Sequence, residues 1–246
     1  MTEDSFKPTN LEPDQVKARA VHAMFSAIAW RYDMLNRLLS FGIDQLWRRE
    51  ASQYAKAVNP QDILDVATGT ADLAIALKKA CPDARVVGAD FVEAMLVLGR
   101  RKVARQHLSI SLEQADALQL PYQDSSFDVV TIAYGLRNVA SYEGALKEFY
   151  RVLKPKGRLI VLEFPPPPKG IFGQVFRFYF LRILPTIGGL FSGKKDAYVY
   201  LPDSVLKFPS PEALAALMRG VGFVEVSYHY QSLGVSALHI ADKSQG

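Results

Sequence analysis

Ile63-Leu64-Asp65-Val66-Ala67-Thr68-Gly69-Thr70-Ala71-Asp72 is the stretch on which the fold turns. Ile63 to Ala67 has the length and apolar character of a buried strand. From there small residues lead directly into an alanine- and leucine-rich helix predicted over Asp72 to Ala80. A strand that turns this tightly into a helix opens a βαβ unit, and small residues let the backbone approach a ligand closely. The dinucleotide fingerprint needs three glycines in such a window. Gly69 is the single glycine here, so NAD binding is disfavoured.

Outward from this turn the alternation continues. Strands are predicted over Arg85 to Asp90, Ser109 to Glu113, Phe127 to Ala133 and Arg158 to Glu163, with helices over Glu93 to Gln106 and Tyr142 to Leu153. Lys156-Gly157 is read as the stop of the last helix. A helix over Pro211 to Val221 precedes a strand pair, Phe223 to Tyr230 and Val235 to Ala241, whose short connection predicts an antiparallel hairpin at the sheet edge. The expectation is an α/β, doubly wound, Rossmann-like sheet of seven strands, mostly parallel with an antiparallel C-terminal strand. Before it, an amphipathic helix is expected from Asp14 to Ala29 and another through Gln45 to Ala57, stopped by Asn59-Pro60.

Composition narrows the class. With 49% hydrophobic and 22% charged residues in 246, the chain has a globular composition and enough apolar mass for one large core. A net charge of +4 permits attraction to anionic lipid or nucleic acid, and equally an ordinary basic surface. Cys81 is the only cysteine, so neither an internal disulfide nor a cysteine metal cluster can form, and His22, His107, His229 and His239 lack ligand spacing; no metal is expected. The single cysteine fits a reducing cytoplasm, and the polar, acidic stretch Met1 to Glu12 has no secretory pattern and is read as a frayed tail. The stretch Ile171 to Phe191 is long and apolar, but Arg177, Arg182 and Pro185 argue against a spanning helix. It suits a helix in the membrane interface, a lid over a greasy pocket, or plain packing on the domain.

Carboxylates recur where a cationic nucleoside needs them. Asp90, ending the second predicted strand, can accept from both ribose hydroxyls. Asp116, followed by Ala117, comes after the third and can accept from an adenine amino group. Asp65 lies beneath the turn, where negative charge favours an ammonium and a sulfonium. Each Asp alone can be a helix cap, but in this order they point to S-adenosyl-L-methionine.

The residues are similar to the class I S-adenosylmethionine methyltransferases, and within them to the quinone-biosynthesis C-methyltransferases, a UbiE/MenG-like group. Three blocks carry the resemblance: Phe25 to Asn36 with Tyr32-Asp33, continuing through Ser40 to Trp47; Tyr134-Gly135-Leu136-Arg137-Asn138-Val139 with Tyr150 to Pro155 and Leu162-Glu163-Phe164; and Tyr198-Val199-Tyr200-Leu201-Pro202-Asp203 with Phe208-Pro209. It covers roughly Val21 to Lys243. It implies C-methylation of a prenylated quinol in menaquinone or ubiquinone biosynthesis. The competing reading is a methyltransferase acting on another hydrophobic small molecule.

Matching positions imply cofactor contacts at Thr70, Asp90, Asp116, Ala117 and Ala133, to which the reading of the turn adds Asp65 and Gly69. They imply substrate chemistry at Arg137, Asn138, Tyr32 and Tyr200, with Asp33 and Asn36 completing the pocket. A guanidinium does not give up its proton in proteins, so Arg137 is read as orienting a quinol oxygen. The bland alternative for it is a surface salt bridge. Two departures stand out: Ala71 replaces a family glycine, tolerable if its φ stays negative, and Asp44 replaces a histidine. The element order divides the chain into a helical cap over 1–58 and a methyltransferase domain over 59–246 with a substrate-pocket insertion at 164–210, one domain overall. Expected partners are the quinol and, transiently, the inner membrane surface, with no nucleic acid; a homodimer is left open. The Ala133-Tyr134-Gly135-Leu136 sequence lacks the Asn/Asp-Pro-Pro-aromatic motif of amino-methylating nucleic-acid enzymes.

Overall fold

A computed structural model describes residues 19, 21–27, 29–30, 33–34, 37, 40, 42–167, 170, 173 and 202–245. Helix α1 (Asp44–Lys56) leads into β1 (Asp62–Val66) and α2 (Asp72–Ala80), then β2 (Arg85–Asp90), α3 (Glu93–Arg105), β3 (Ile110–Gln114) and β4 (Phe127–Ala133). A 3-10 turn (Leu136–Asn138) precedes α4 (Tyr142–Val152) and β5 (Leu153–Glu163), and α5 (Pro211–Val221), β6 (Phe223–Gln231) and β7 (Ser236–Lys243) follow. The sheet order is β3-β2-β1-β4-β5-β7-β6. β7 runs antiparallel to both β5 and β6, whereas the β1, β2, β3, β4 and β5 neighbours pair in parallel.

The order reverses between β1 and β4, and an open α/β sheet binds its ligand at the carboxyl ends beside that switch. Asp65, Asp90 and Ala133 all lie at these ends. The central strands are buried on both faces, as their Val/Ile/Leu-rich sequences require. Phe127, Phe149, Leu146 and Leu159 are fully buried in one apolar layer, and Ile63, Leu77 and Leu96 in the other.

The boundary between α4 and β5 departs from expectation. No loop separates them: the strand starts at Leu153, directly after the helix, and pairs with Phe127 before the register jumps to Val129 against Arg158. Lys156, at φ +63°, sits in that irregularity. Lys156-Gly157 therefore marks a bulge within a strand, not a helix stop. Of the expected N-terminal helix, 21–27 is helical. Most of the insertion, including Ile171 to Phe191 apart from Gly173, lies outside the described residues.

Candidate active site

At the switch point the chain turns through several positions of positive φ: Ala67 (+50°), Gly69 (+57°) and Ala71 (+69°). Gly69 adopts this region without a steric cost, whereas each alanine is strained, as residues at ligand-binding turns often are. The condition under which Ala71 was expected to be harmless, a negative φ, does not hold: it caps α2 in the left-handed region. Gly88 of β2 is fixed by close approach, because a Cβ there would meet Thr68 Oγ1 at 2.8 Å and Leu112 Cδ2 at 2.6 Å.

Beneath the turn Asp65 is almost completely buried. Thr68 Oγ1 donates to its Oδ2 at 2.6 Å and Thr131 Oγ1 to its Oδ1 at 2.7 Å. Burial pushes its carboxyl up to about 6, although both hydroxyls and the nearby Arg48 charge favour ionisation. Arg48 is itself buried, paired with Asp44 and 5.2 Å above the Tyr134 ring. Asp44 also accepts from Ser40 Oγ at 2.8 Å. The carboxylate that stands in place of a family histidine thus serves as the counterion of Arg48.

Above the turn opens an apolar cleft. Gly69, Asp90, Asp116, Ala117, Ala133 and Asn138 line it together with Phe91, Met95 and Val139. Asp90 accepts the Gly69 amide at 2.7 Å and the Val92 amide at 2.8 Å, and burial raises its carboxyl above the usual carboxylate range. Asp116 Oδ1 accepts the Leu118 amide at 2.9 Å. Asn138 Oδ1 is buried and accepts no hydrogen bond from the described residues. Buried polar atoms are nearly always satisfied, so this oxygen suits a donor presented by a ligand in the cleft.

Six of the eleven expected site residues therefore line one cavity. Asp65 and Thr70 instead line a small adjoining pocket with Arg48. The Thr70 hydroxyl bonds Asp33, and Lys102 Nζ donates to it at 2.9 Å. Lys102 also pairs with Asp33 and Asp72, so Asp33 is tied to the turn after β1. Arg137 is not among the residues lining the cleft and is 6% exposed, which replaces the surface salt bridge with a buried one: its Nη1 sits 2.7 Å from Glu163 Oε1 and donates to the Tyr134 carbonyl. Tyr32, Tyr200 and Asn36 lie outside the described residues.

Sequence reasoning did not single out Val21 and Phe25 as cleft-lining residues, nor Arg48. The helical spacing of Val16, Ala20, Ala23, Phe25 and Ile28 signalled an apolar face but not what that face covers.

Among solved structures the fold is similar to a SAM-dependent methyltransferase from Thermotoga maritima, with a TM-score of 0.65 and 21% identity over 91% of this chain and 99% of the other. A second SAM-dependent methyltransferase, from Aquifex aeolicus, gives a TM-score of 0.59 and 16% identity over 85% and 96%. Sequence similarity is closer. The chain is 58% identical to a demethylmenaquinone methyltransferase of Thermus thermophilus, over 89% of this chain and all of that one. It is 51% identical to the enzyme of the same name from Deinococcus radiodurans, over 99% and 100%. To a ubiquinone/menaquinone biosynthesis C-methyltransferase of Geobacter sulfurreducens it is 47% identical, over 92% and 90%. The profile of the ubiE/COQ5 methyltransferase family matches residues 13–243. A profile match over nearly the whole chain, a sheet with its ligand cleft at the β1/β4 switch, and that cleft's ordered aspartates lead to one assignment: the chain belongs to the ubiE/COQ5 methyltransferase family.

Proposed function

We propose that this enzyme methylates a ring carbon of a prenylated quinol, converting demethylmenaquinol to menaquinol with S-adenosyl-L-methionine as methyl donor. The observation that carries the reading is the 58% identity, over 89% of this chain, to the full length of a demethylmenaquinone methyltransferase. The cleft suits the donor: two carboxylates for ribose and adenine, apolar walls for the base, and an unsatisfied Asn138 oxygen beside them. S-adenosylmethionine supplies an electrophilic methyl group when bound. The chain's residues supply alignment and exclusion of water.

Asp90 and Asp116 would hold the nucleoside, Ala117 and Ala133 would leave room for it, and Gly69 and Thr70 would shape the turn. Asp65 would set a negative potential beneath the sulfonium end. On the substrate side, Asn138 would orient the quinol hydroxyl next to the reacting carbon. Arg137, anchored by Glu163, would hold the 3-10 turn in place and favour the quinol's negative charge as its proton leaves. Tyr32 and Tyr200 are assigned to the remaining wall by the family blocks that contain them, and residues 1–58 to a cap over the cleft, which Val21 and Phe25 already line. The same reading assigns 59–246 to the catalytic domain and 164–210 to the prenyl-tail region.

No helix among the described residues is long and apolar enough to cross a membrane. The substrate's tail nevertheless lives in one, so the enzyme is read as a cytoplasmic protein that docks on the inner face of the bilayer. Expression in a host lacking its own quinol methyltransferase tests the reaction: restored menaquinone by mass spectrometry supports it, and accumulation of the demethylated quinone despite folded enzyme refutes it.

A further inference from the structure

On the flank of the molecule, separate from the cofactor cleft, lies a second cavity of about 730 Å3 between α1, α2 and the C-terminal end of α3. Arg37, Arg49, Lys56, Lys79 and Arg105 line it. All five are exposed, and none pairs with a carboxylate among the described residues. The two carboxylates in the lining, Asp33 and Asp72, both pair with Lys102. Counting Arg48 and Lys102, the lining holds seven cations against these two carboxylates, so the groove is strongly positive. Arg49 and Lys56 stand seven residues apart on α1 and so share a face, while Lys79 and Arg105 come from two other helices.

This arrangement selects its occupant. A site for one small anion gathers buried donors onto a point, whereas here solvent-facing cations are spread over three helices. Such an array suits a surface bearing many anions, each held weakly. Arg48 and Asp72 line both this groove and the pocket beneath the cofactor turn, so whatever docks here lies beside the active site. We propose that the groove is the docking surface for an anionic phospholipid bilayer, seating the enzyme where a membrane-borne quinol is delivered. The proposal rests on the prenylated-quinol reading given above.

Vesicle co-sedimentation tests it, with phosphatidylglycerol mixed into phosphatidylcholine, phosphatidylcholine alone, and each at low and high salt. The wild-type protein should bind the anionic vesicles at low salt and release them at high salt. An Arg49→Glu, Lys79→Glu, Arg105→Glu variant should bind them at least a hundredfold more weakly, at roughly fivefold per cation. It should keep its S-adenosylmethionine affinity and its turnover of a short-tailed, water-soluble quinol. A control variant with Lys147, Lys156 and Lys207 changed to Glu, away from the groove, should bind like wild type.

Unchanged vesicle binding in the groove variant would overturn the proposal, as would equal loss in the control or equal binding to neutral vesicles. Preferential retention on double-stranded DNA, lost in the groove variant, would assign the groove to nucleic acid instead. Wild-type protein that methylates the soluble quinol but ignores anionic vesicles would refute the docking surface and leave the reaction standing. Groove-dependent vesicle binding without methylation of any quinol would do the reverse.

Discussion

Arg137 and Glu163 form an ion pair that is 6% and 1% exposed, between the 3-10 turn after β4 and the end of β5. Removing one partner of such a pair strands a buried charge and costs about 3–5 kcal/mol, while replacing both with apolar groups can be neutral. Arg137→Ala should therefore lower stability as well as turnover, which confounds the simple experiment. The informative variant is Arg137→Met with Glu163→Leu: denaturant unfolding should show stability largely regained, while kcat stays depressed. Recovery of both would make the arginine purely structural.

Asp65 is a different case. Its carboxyl is raised to about 6, so the folded protein holds that proton more tightly than the unfolded chain. Ionisation above pH 6 is then destabilising, and the stabilising contribution grows as pH falls from about 6 toward 4. A cationic ligand needs the opposite state. Affinity for S-adenosylmethionine should weaken below pH 6, by up to about tenfold per pH unit, and calorimetry of Asp65→Asn should show that slope flattened. A wild-type slope in the variant would remove Asp65 from cofactor recognition.

Among the elements, β7 carries the clearest acid liability. His239 is buried in its middle, its Nε2 3.0 Å from the Pro211 carbonyl, and Nδ1 has no partner among the described residues. That pattern fits a neutral ring donating through Nε2. Burial lowers its pKa to about 4 from an ordinary 6.5. The stability this provides is fully present above pH 6.5 and is lost as pH falls toward 4. Because Asp65 pulls the other way over part of that window, the test compares wild type with His239→Gln. Chemical unfolding from pH 7 to 4 should show a shallower loss in the variant, and parallel curves would contradict the assignment.

Elements of this kind were readable wherever local signals and tertiary context agree. α2 and β2 carry the predicted bounds because small residues, a helical alanine-leucine pattern and a buried apolar run leave no competing choice. The α4/β5 junction misled because Lys-Gly is a strong local stop, yet pairing of Leu153 with Phe127 extends the strand across it. The aspartates at the strand ends were legible from their order. The buried state of Arg137, the Arg48–Asp44 pair and the Lys102 link to Asp33 were not, because each depends on partners distant in sequence or on which helix face turns inward.

At the scale of the whole molecule, the fold brings the apolar cleft at the β1/β4 switch, an N-terminal helical segment that lines it and a basic flank into one neighbourhood. Asp33 links them: it is bonded to Thr70 in the turn after β1, paired with Lys102 of α3, and part of the lining of the basic groove. A membrane-docked enzyme that closes over a quinol drawn from the bilayer would use all three. The claim beneath this picture is the reaction, and it is tested most directly with purified protein, methyl-labelled S-adenosylmethionine, and demethylmenaquinol in vesicles, followed by mass spectrometry of the ring. The label should enter a ring carbon of the naphthoquinol, with loss of transfer in Asp90→Ala. Folded enzyme that binds S-adenosylmethionine yet leaves demethylmenaquinol unlabelled would contradict it.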